Sequence, residues 1–199
     1  MVSGATGNQL DRRAAVAALL ADRGDLLVVS GLGSSAYDTN AAGDHDANFY
    51  LWGAMGSAAL IGLGLAQAQP KRRVLVITGD GEQLMGLGGL ATIAVAAPKN
   101  LTVAVVDNGH FGETGMQLSH TGRGIDIAAI AGACGFTQAA TLTDLDQVKE
   151  ARKTFGAIGK GPQLFVIKVR AENLPRSLPP RDAVLLKNRF RATMGLKPT

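Results

Sequence analysis

Two side chains in this sequence stand where the chemistry of a hard cation would need them. Asp80 lies in Gly79-Asp80-Gly81-Glu82, directly after the apolar run Val74-Leu75-Val76-Ile77-Thr78. Asn108 follows Asp107 directly after a second apolar run, Leu101 to Val106. A carboxylate and an amide oxygen suit Mg²⁺, an ion that commonly completes its shell with phosphate oxygens. Gly79 and Gly81 let a diphosphate approach the backbone, and a helix expected from Gln83 to Ala96 points its N-terminus toward it. Strand, helix and strand over these residues form a βαβ unit, which brings both strand ends to one edge of a parallel sheet. An Asp between glycines is by itself only a turn signal. The flanking strands, and the 25 residues from 82 to 106 that separate the two groups, single this one out.

Three further stretches carry polar or close-approach residues. Gly31-Leu32-Gly33-Ser34-Ser35-Ala36 follows a strand and matches G-x-G-x-x-A, which read alone suggests a dinucleotide site. That fingerprint needs a helix after it and an acid about 20 residues on, at the end of the next strand. Here 37–48 reads as a polar, Gly-broken loop, and the next strand runs into Trp52-Gly53. A diphosphate-contacting loop with Ser34 and Ser35 as donors is the better reading, with a plain turn as the competing one. Gly53-Ala54-Met55-Gly56 opens an apolar segment; its glycines permit close approach, while a Met at a helix start is otherwise core filler. Asn108-Gly109-His110-Phe111-Gly112-Glu113-Thr114 offers Glu113 and Thr114 to a diphosphate or a substrate. His120 is a candidate proton donor or a surface histidine, and His45, between Asp44 and Asp46, reads as solvated. No Cys/His cluster supports zinc, and no serine elbow supports a hydrolase.

The elements that must position these residues alternate regularly. Strands are expected at 26–30, 48–51, 74–78, 101–106, 135–140 and 162–169. Helices are expected at 11–20, 53–69, 83–96, 125–134, 144–155 (with Thr143 as N-cap) and 181–194. Alternation of this kind predicts an α/β protein, a three-layer α/β/α doubly wound parallel sheet of about six strands. Residues 1–170 make one domain, and 171–199 a basic helical tail packed on it or on a partner.

Composition narrows the function classes. A chain of 199 residues with 46% hydrophobic residues can bury a full core. Cys134 stands alone, so no internal disulfide can form, and a cytoplasmic enzyme is expected. The N-terminal stretch lacks the order of a signal peptide, and the apolar segment 53–68 is shorter than the roughly 20 residues of a membrane span. The net charge of +4 is concentrated in residues 170–199, which hold seven lysines and arginines against two acids. These are spread along an expected helix, which favours a solvated face or subunit contact over nucleic acid.

The motifs together resemble a known family. Gly-Asp-Gly followed after 25 residues by Asp-Asn is similar to the thiamine-diphosphate motif of the 2-oxo acid decarboxylase and acetolactate synthase families, which usually ends Asn-Asn. Asn48-Phe49-Tyr50-Leu51-Trp52-Gly53-Ala54-Met55-Gly56 and Asn108-Gly109-His110-Phe111-Gly112-Glu113-Thr114-Gly115 resemble segments of the sulfopyruvate and phosphonopyruvate decarboxylase-type enzymes, especially their free-standing β subunits. The resemblance covers residues 10–170 and implies strand order 2-1-3-4-6-5. It implies thiamine diphosphate and Mg²⁺ as cofactors, with Asp80, Asn108 and the His110 carbonyl as metal ligands. Met55 would support the bent cofactor, and Gly31, Gly33, Ser34, Ser35, Gly53, Ala54, Gly79, Gly81, Glu82, Phe111, Gly112, Glu113 and Thr114 would surround it. Where relatives often carry Ser-Arg-Glu, this chain has Ser34-Ser35-Ala36-Tyr37, which argues against a strongly anionic substrate.

The resemblance further implies decarboxylation of a small 2-oxo acid to an aldehyde or acyloin. The activating Glu would come from a separate α-type subunit carrying the pyrimidine-binding domain, and homodimer contacts are expected as well. Two other readings stay open. One is a non-catalytic assembly or regulatory subunit that retains the fold; the other is a nucleotide- or flavin-binding module built on the Gly31 loop.

Overall fold

The computed structural model describes residues 9–155 and 161–198. The ends of the expected domain and tail at 1–8 and 199, and the approach to the last strand at 156–160, lie outside the described residues.

Six parallel strands form the central sheet: β1 (Leu27–Ser30), β2 (Asn48–Tyr50), β3 (Val74–Gly79), β4 (Leu101–Asp107), β7 (Gln138–Leu142) and β8 (Gln163–Lys168). Two short antiparallel strands, β5 (His110–Phe111) and β6 (Gln117–Leu118), form a hairpin beyond β4. The sheet order is β2-β1-β3-β4-β8-β7, which over the six long-sheet strands is the order 2-1-3-4-6-5. β1, β3 and β4 are buried along their whole length or nearly so, as strands covered on both faces must be.

Alternate residues of each strand feed two cores. Val74, Val76, Val103, Val105 and Val166 pack with α3 (Ala58–Ala68), α5 (Gly89–Ala96) and α6 (Ile127–Cys134). Leu75, Ile77, Ala104, Phe165 and Ile167 pack with α1 (Arg12–Leu20) and α7 (Leu145–Thr154). The result is the three-layer α/β/α arrangement. Gly62 lets α3 close on the sheet, since a Cβ there would run into Val76. Caps follow the sequence: Asp11, Asp126 and Asp182 each accept a backbone N–H one turn into the helix that follows.

Four expectations need correction. The segment after Gly33 is not a loop: α2 spans Ser34–Ala41. It hides from a search for apolar periodicity because its buried face is polar, with Ser35, Asp38 and Thr39 buried. The expected helix at 83–96 is two helices. α4 (Asp80–Met85) starts at the motif itself, and α5 starts after the break at Gly86-Leu87-Gly88. The segment from Gly53 to Ser57 is a turn, and α3 begins only at Ala58. The N-cap of α7 is Asp144, whose carboxylate accepts from the Gln147 N–H; Thr143 is not the cap.

The last helix, α8 (Ala183–Ala192), packs on the edge strand β2. Phe190 joins the first core and meets Phe49 at 5.3 Å between ring centroids. Between β8 and α8 the chain runs as an extended strap. It is tied back by Arg12 and Arg13 of α1, by Asn40 of α2 and by the Trp52 Nε1–H, which donates to the Pro180 carbonyl. No described helix is long and apolar enough to cross a membrane.

Candidate functional site

The C-terminal ends of β1, β3 and β4 open into one cavity of about 250 Å³. It lies where the strand order reverses, between β1 and β3, which is where open α/β sheets bind ligands. Its walls include Ser34 and Ser35 from α2, Met55 from the turn before α3, Gly79 to Glu82 from the β3–α4 junction, and Asn108 and His110 to Thr114 beyond β4. Most of the expected site residues therefore meet in one place. Gly31, Gly33, Gly53 and Ala54 do not line it, and Gly53 and Ala54 are exposed. His120 is exposed, outside the cavity, with its ring edge-on to Phe111 at 6.2 Å.

Asp80 is 3% exposed. Its Oδ2 accepts from Ser119 Oγ at 2.5 Å and Thr121 Oγ1 at 3.0 Å, which fixes the carboxylate and leaves Oδ1 for a cation. Burial pushes its carboxyl above the usual range, the neighbouring Asp107 adds to that, and the two hydroxyls oppose it. A buried carboxylate held this way gains from a cation. Asn108 Oδ1 accepts from the His110 N–H at 2.9 Å, and the His110 ring turns back on the Asn108 carbonyl at 2.8 Å. The imidazole is thus occupied with its own loop. Among the described residues no three His, Cys, Asp or Glu side chains gather to hold a metal. One carboxylate, one amide oxygen and one carbonyl instead suit an ion that shares its shell with a diphosphate, so the residues present fit Mg²⁺ and thiamine diphosphate.

Glu82 has a different part. Its carboxylate is buried and accepts from Thr78 Oγ1 at 2.9 Å. Burial raises its carboxyl, while Thr78 and the backbone N–H groups of Leu32, Gly56 and Ala58 hold it partly back. These neighbours belong to β3, the Gly31 loop, the Met55 turn and the start of α3, so Glu82 sits where three walls of the cavity meet, its Oε1 buried without a hydrogen-bond partner among the described residues. Gly31 must lack a side chain because a Cβ there would run into this carboxylate.

The Met55 turn is itself strained. Ala54 adopts φ 56° without being glycine, at a cost of about 1 kcal/mol, and Gly56 has φ 92°. Gly86 packs backbone to backbone on Gly56 and locks the turn. Met55 stays 43% exposed in the cavity wall, as a residue that supports a ligand would.

The sequence left several residues unassigned. Ser119 and Thr121 orient Asp80 from a loop about 40 residues away. Arg12 reaches the cavity from α1 and donates to Ser34 Oγ at 3.1 Å. Asp107, at the position where the resembling families carry Asn, is buried and engaged by Lys168 Nζ at 2.5 Å, the Gly109 N–H and Thr121. The dinucleotide reading of the Gly31 loop regains its helix, α2, yet no acid ends β2, where Tyr50 and Leu51 stand.

Residues 31–169 match the C-terminal TPP-binding domain of thiamine pyrophosphate enzymes. This chain belongs to that family. It is 40% identical over 193 residues to a phosphonopyruvate decarboxylase of Streptomyces viridochromogenes, covering 94% of this chain and 47% of that protein. It is 34% identical over 169 residues to the sulfopyruvate decarboxylase subunit beta of Methanococcus maripaludis, covering 83% of this chain and 88% of that one. The chain thus spans about half the length of the first relative and most of the second. The crystal structure of benzoylformate decarboxylase from Polynucleobacter necessarius superposes with a TM-score of 0.69 at 20% identity, over 88% of this chain and 36% of that one. At that identity it speaks for the fold alone.

Proposed function

We propose that this chain is the diphosphate- and Mg²⁺-binding subunit of a two-subunit thiamine-diphosphate-dependent decarboxylase acting on a small 2-oxo acid. The observation that carries this reading is the single cavity lined by Asp80, Asn108, His110, Ser34, Ser35 and Met55. When bound, thiamine diphosphate would supply the electron sink for loss of CO₂. This chain's residues do the rest. Asp80, Asn108 and the His110 carbonyl hold Mg²⁺, the Ser34 and Ser35 hydroxyls meet the diphosphate, and Met55 supports the cofactor's bend. Exposed His120 is retained in the proposal only as a proton donor that a partner would have to bring over the site.

The β-subunit relatives support a separate α-type subunit. The activating Glu would come from there: Glu82, the obvious local candidate, stands in the diphosphate motif itself, where its Oε2 accepts from Thr78. Homodimer contacts and a cytoplasmic location belong to the same proposal, the latter resting on the lone Cys134. The test is CO₂ release from a panel of 2-oxo acids, by the chain alone and with its co-purified partner. Activity is expected only in the complex. Robust decarboxylation by the isolated chain, with partner excluded by mass spectrometry, would overturn the two-subunit reading.

A further inference from the structure

The cavity at the strand ends is read as the seat of an anion, yet carboxylates dominate the charges in its wall: Asp80, Glu82 and Glu113 all line it. Among the described residues that line it, Arg12 is the one lysine or arginine. Arg12 belongs to none of the motifs. It comes from α1, ahead of residues 31–169, over which the chain matches its family.

Arg12 stands where a cation is poorly placed. It is the first residue of α1, at the end where the helix dipole disfavours positive charge, and Arg13 follows it. It is only 4% exposed, and a buried guanidinium needs both its donors and its charge met. Asp38 lies 2.9 Å from its Nε, but the same carboxylate is shared with Arg13, whose Nε is 3.3 Å from the other oxygen. Glu172 meets Arg12 only through its main-chain carbonyl, while its carboxylate pairs with Arg170. Glu113 pairs with Arg176. One carboxylate thus answers two guanidinium groups. Arg13, at 32% exposed, can leave its charge to water; Arg12 cannot.

The donors of Arg12 are likewise only partly used. Nη1 donates to Ser34 Oγ at 3.1 Å and to the Glu172 carbonyl at 3.3 Å, both neutral acceptors. None of these contacts is made by Nη2. The bond to Ser34 also has a consequence for the serine. Arg12 occupies a lone pair of Oγ, so the Ser34 hydroxyl keeps its own proton to donate to a ligand.

We infer that Arg12 is a further diphosphate-holding residue of this site. Its guanidinium supplies the positive side chain that the cavity otherwise lacks, and it keeps the Ser34 hydroxyl a donor for the same ligand. The inference rests on the thiamine-diphosphate reading of the cavity. The test titrates the full chain, with Mg²⁺ present, against inorganic pyrophosphate and thiamine diphosphate by calorimetry, beside thermal unfolding. Arg12→Gln weakens both ligands by the same factor, about tenfold or more, as loss of a charged donor to their shared diphosphate must. That variant also breaks a buried ion pair and loses stability, whereas Arg12→Gln/Asp38→Asn removes the pair whole and recovers most of it. The double variant therefore carries the comparison whether or not the single one folds, and its pyrophosphate binding stays weak. Pyrophosphate affinity that recovers together with stability would make Arg12 a purely structural residue and overturn the inference. So would a loss confined to thiamine diphosphate, which would place the effect away from the diphosphate. A parent chain that binds neither ligand would overturn the thiamine-diphosphate reading and this inference with it. A parent that binds both, with the Arg12→Gln chain binding them equally well, would overturn this inference alone.

Discussion

Ser119→Ala tests whether Asp80 is an oriented metal ligand or merely a buried acid. The substitution removes the 2.5 Å hydrogen bond to Asp80 Oδ2. A hydrogen bond to a buried charge is worth about 1.5–3 kcal/mol, which sets the expected loss of stability in the free protein. Thr121 cannot make good the deficit. Its one proton is wanted by Asp80 Oδ2 at 3.0 Å and by Asp107 Oδ1 at 2.7 Å, and Ser119 is its neighbour at 2.9 Å. Much of that loss persists when metal binds, so it cancels from the metal affinity. What remains is the lost orientation, and partners of this kind typically contribute about 10- to 100-fold to metal binding, or about 1.4–2.8 kcal/mol. The pH dependence has a definite sign. Asp80's carboxyl is already raised by burial, and losing a donor raises it further. A proton then competes with Mg²⁺, so the defect is largest in acid and shrinks as pH rises through the carboxyl's titration. The assay is calorimetric Mg²⁺ titration at saturating thiamine diphosphate across pH, beside thermal unfolding. A protein that loses the expected stability but binds Mg²⁺ as the parent does at every pH would refute the assignment of Asp80.

Met55→Ala leaves Mg²⁺-dependent cofactor affinity within about threefold, because the residue is 43% exposed, yet lowers kcat of the reconstituted enzyme. Unchanged kcat would make Met55 a filler. Gly86→Ala forces a Cβ onto the Gly56 backbone; by the usual cost of overpacking it loses about 1–3 kcal/mol in thermal unfolding and weakens cofactor binding along with it. Stability lost with intact cofactor affinity would detach the Met55 turn from the site. Arg189 and Tyr50 hold the Asp44 carboxyl below its usual range. Its contribution is therefore present above the ordinary carboxylate range and lost as pH falls through the lowered value. Acid should release α8 from β2 first, read as early loss of amide protection at 183–192; uniform loss across the chain would contradict this.

The fold was legible where burial is apolar. β1, β3 and β4 are continuous runs because helices cover both faces of the sheet, and the glycine break Gly86-Leu87-Gly88 that splits α4 from α5 stood in the sequence for a stricter reading. α2 was not legible. Ser34–Ala41 buries Ser35, Asp38 and Thr39; Thr39 meets Ser30 of β1, and Asp38 is paired with Arg12 and Arg13, 26 and 25 residues earlier. A helix held by ion pairs from another element leaves no 3.6-residue apolar period to find. The order of the strands came from resemblance, since no spacing in the chain dictates that β8 should insert between β4 and β7.

The same distinction runs through the site. Asp80 and Asn108 were legible because the backbone alone places them: each follows a buried strand, and parallel strands in register end side by side. The groups that orient them are fixed only by tertiary contacts. Asp107 illustrates the difference. From sequence it is an unexplained acid where the resembling families carry an amide, and a second buried carboxylate near Asp80 would repel it. In the sheet, Asp107 lies directly across from Lys168, and the ammonium at 2.5 Å supplies the compensating charge. The pairing spans 61 residues and depends on β8 lying next to β4. A reader of the sequence could see the acid and the lysine, but only the strand order makes them partners. The acid at this position is therefore compatible with the proposed metal ligand beside it through a residue that belongs to no motif.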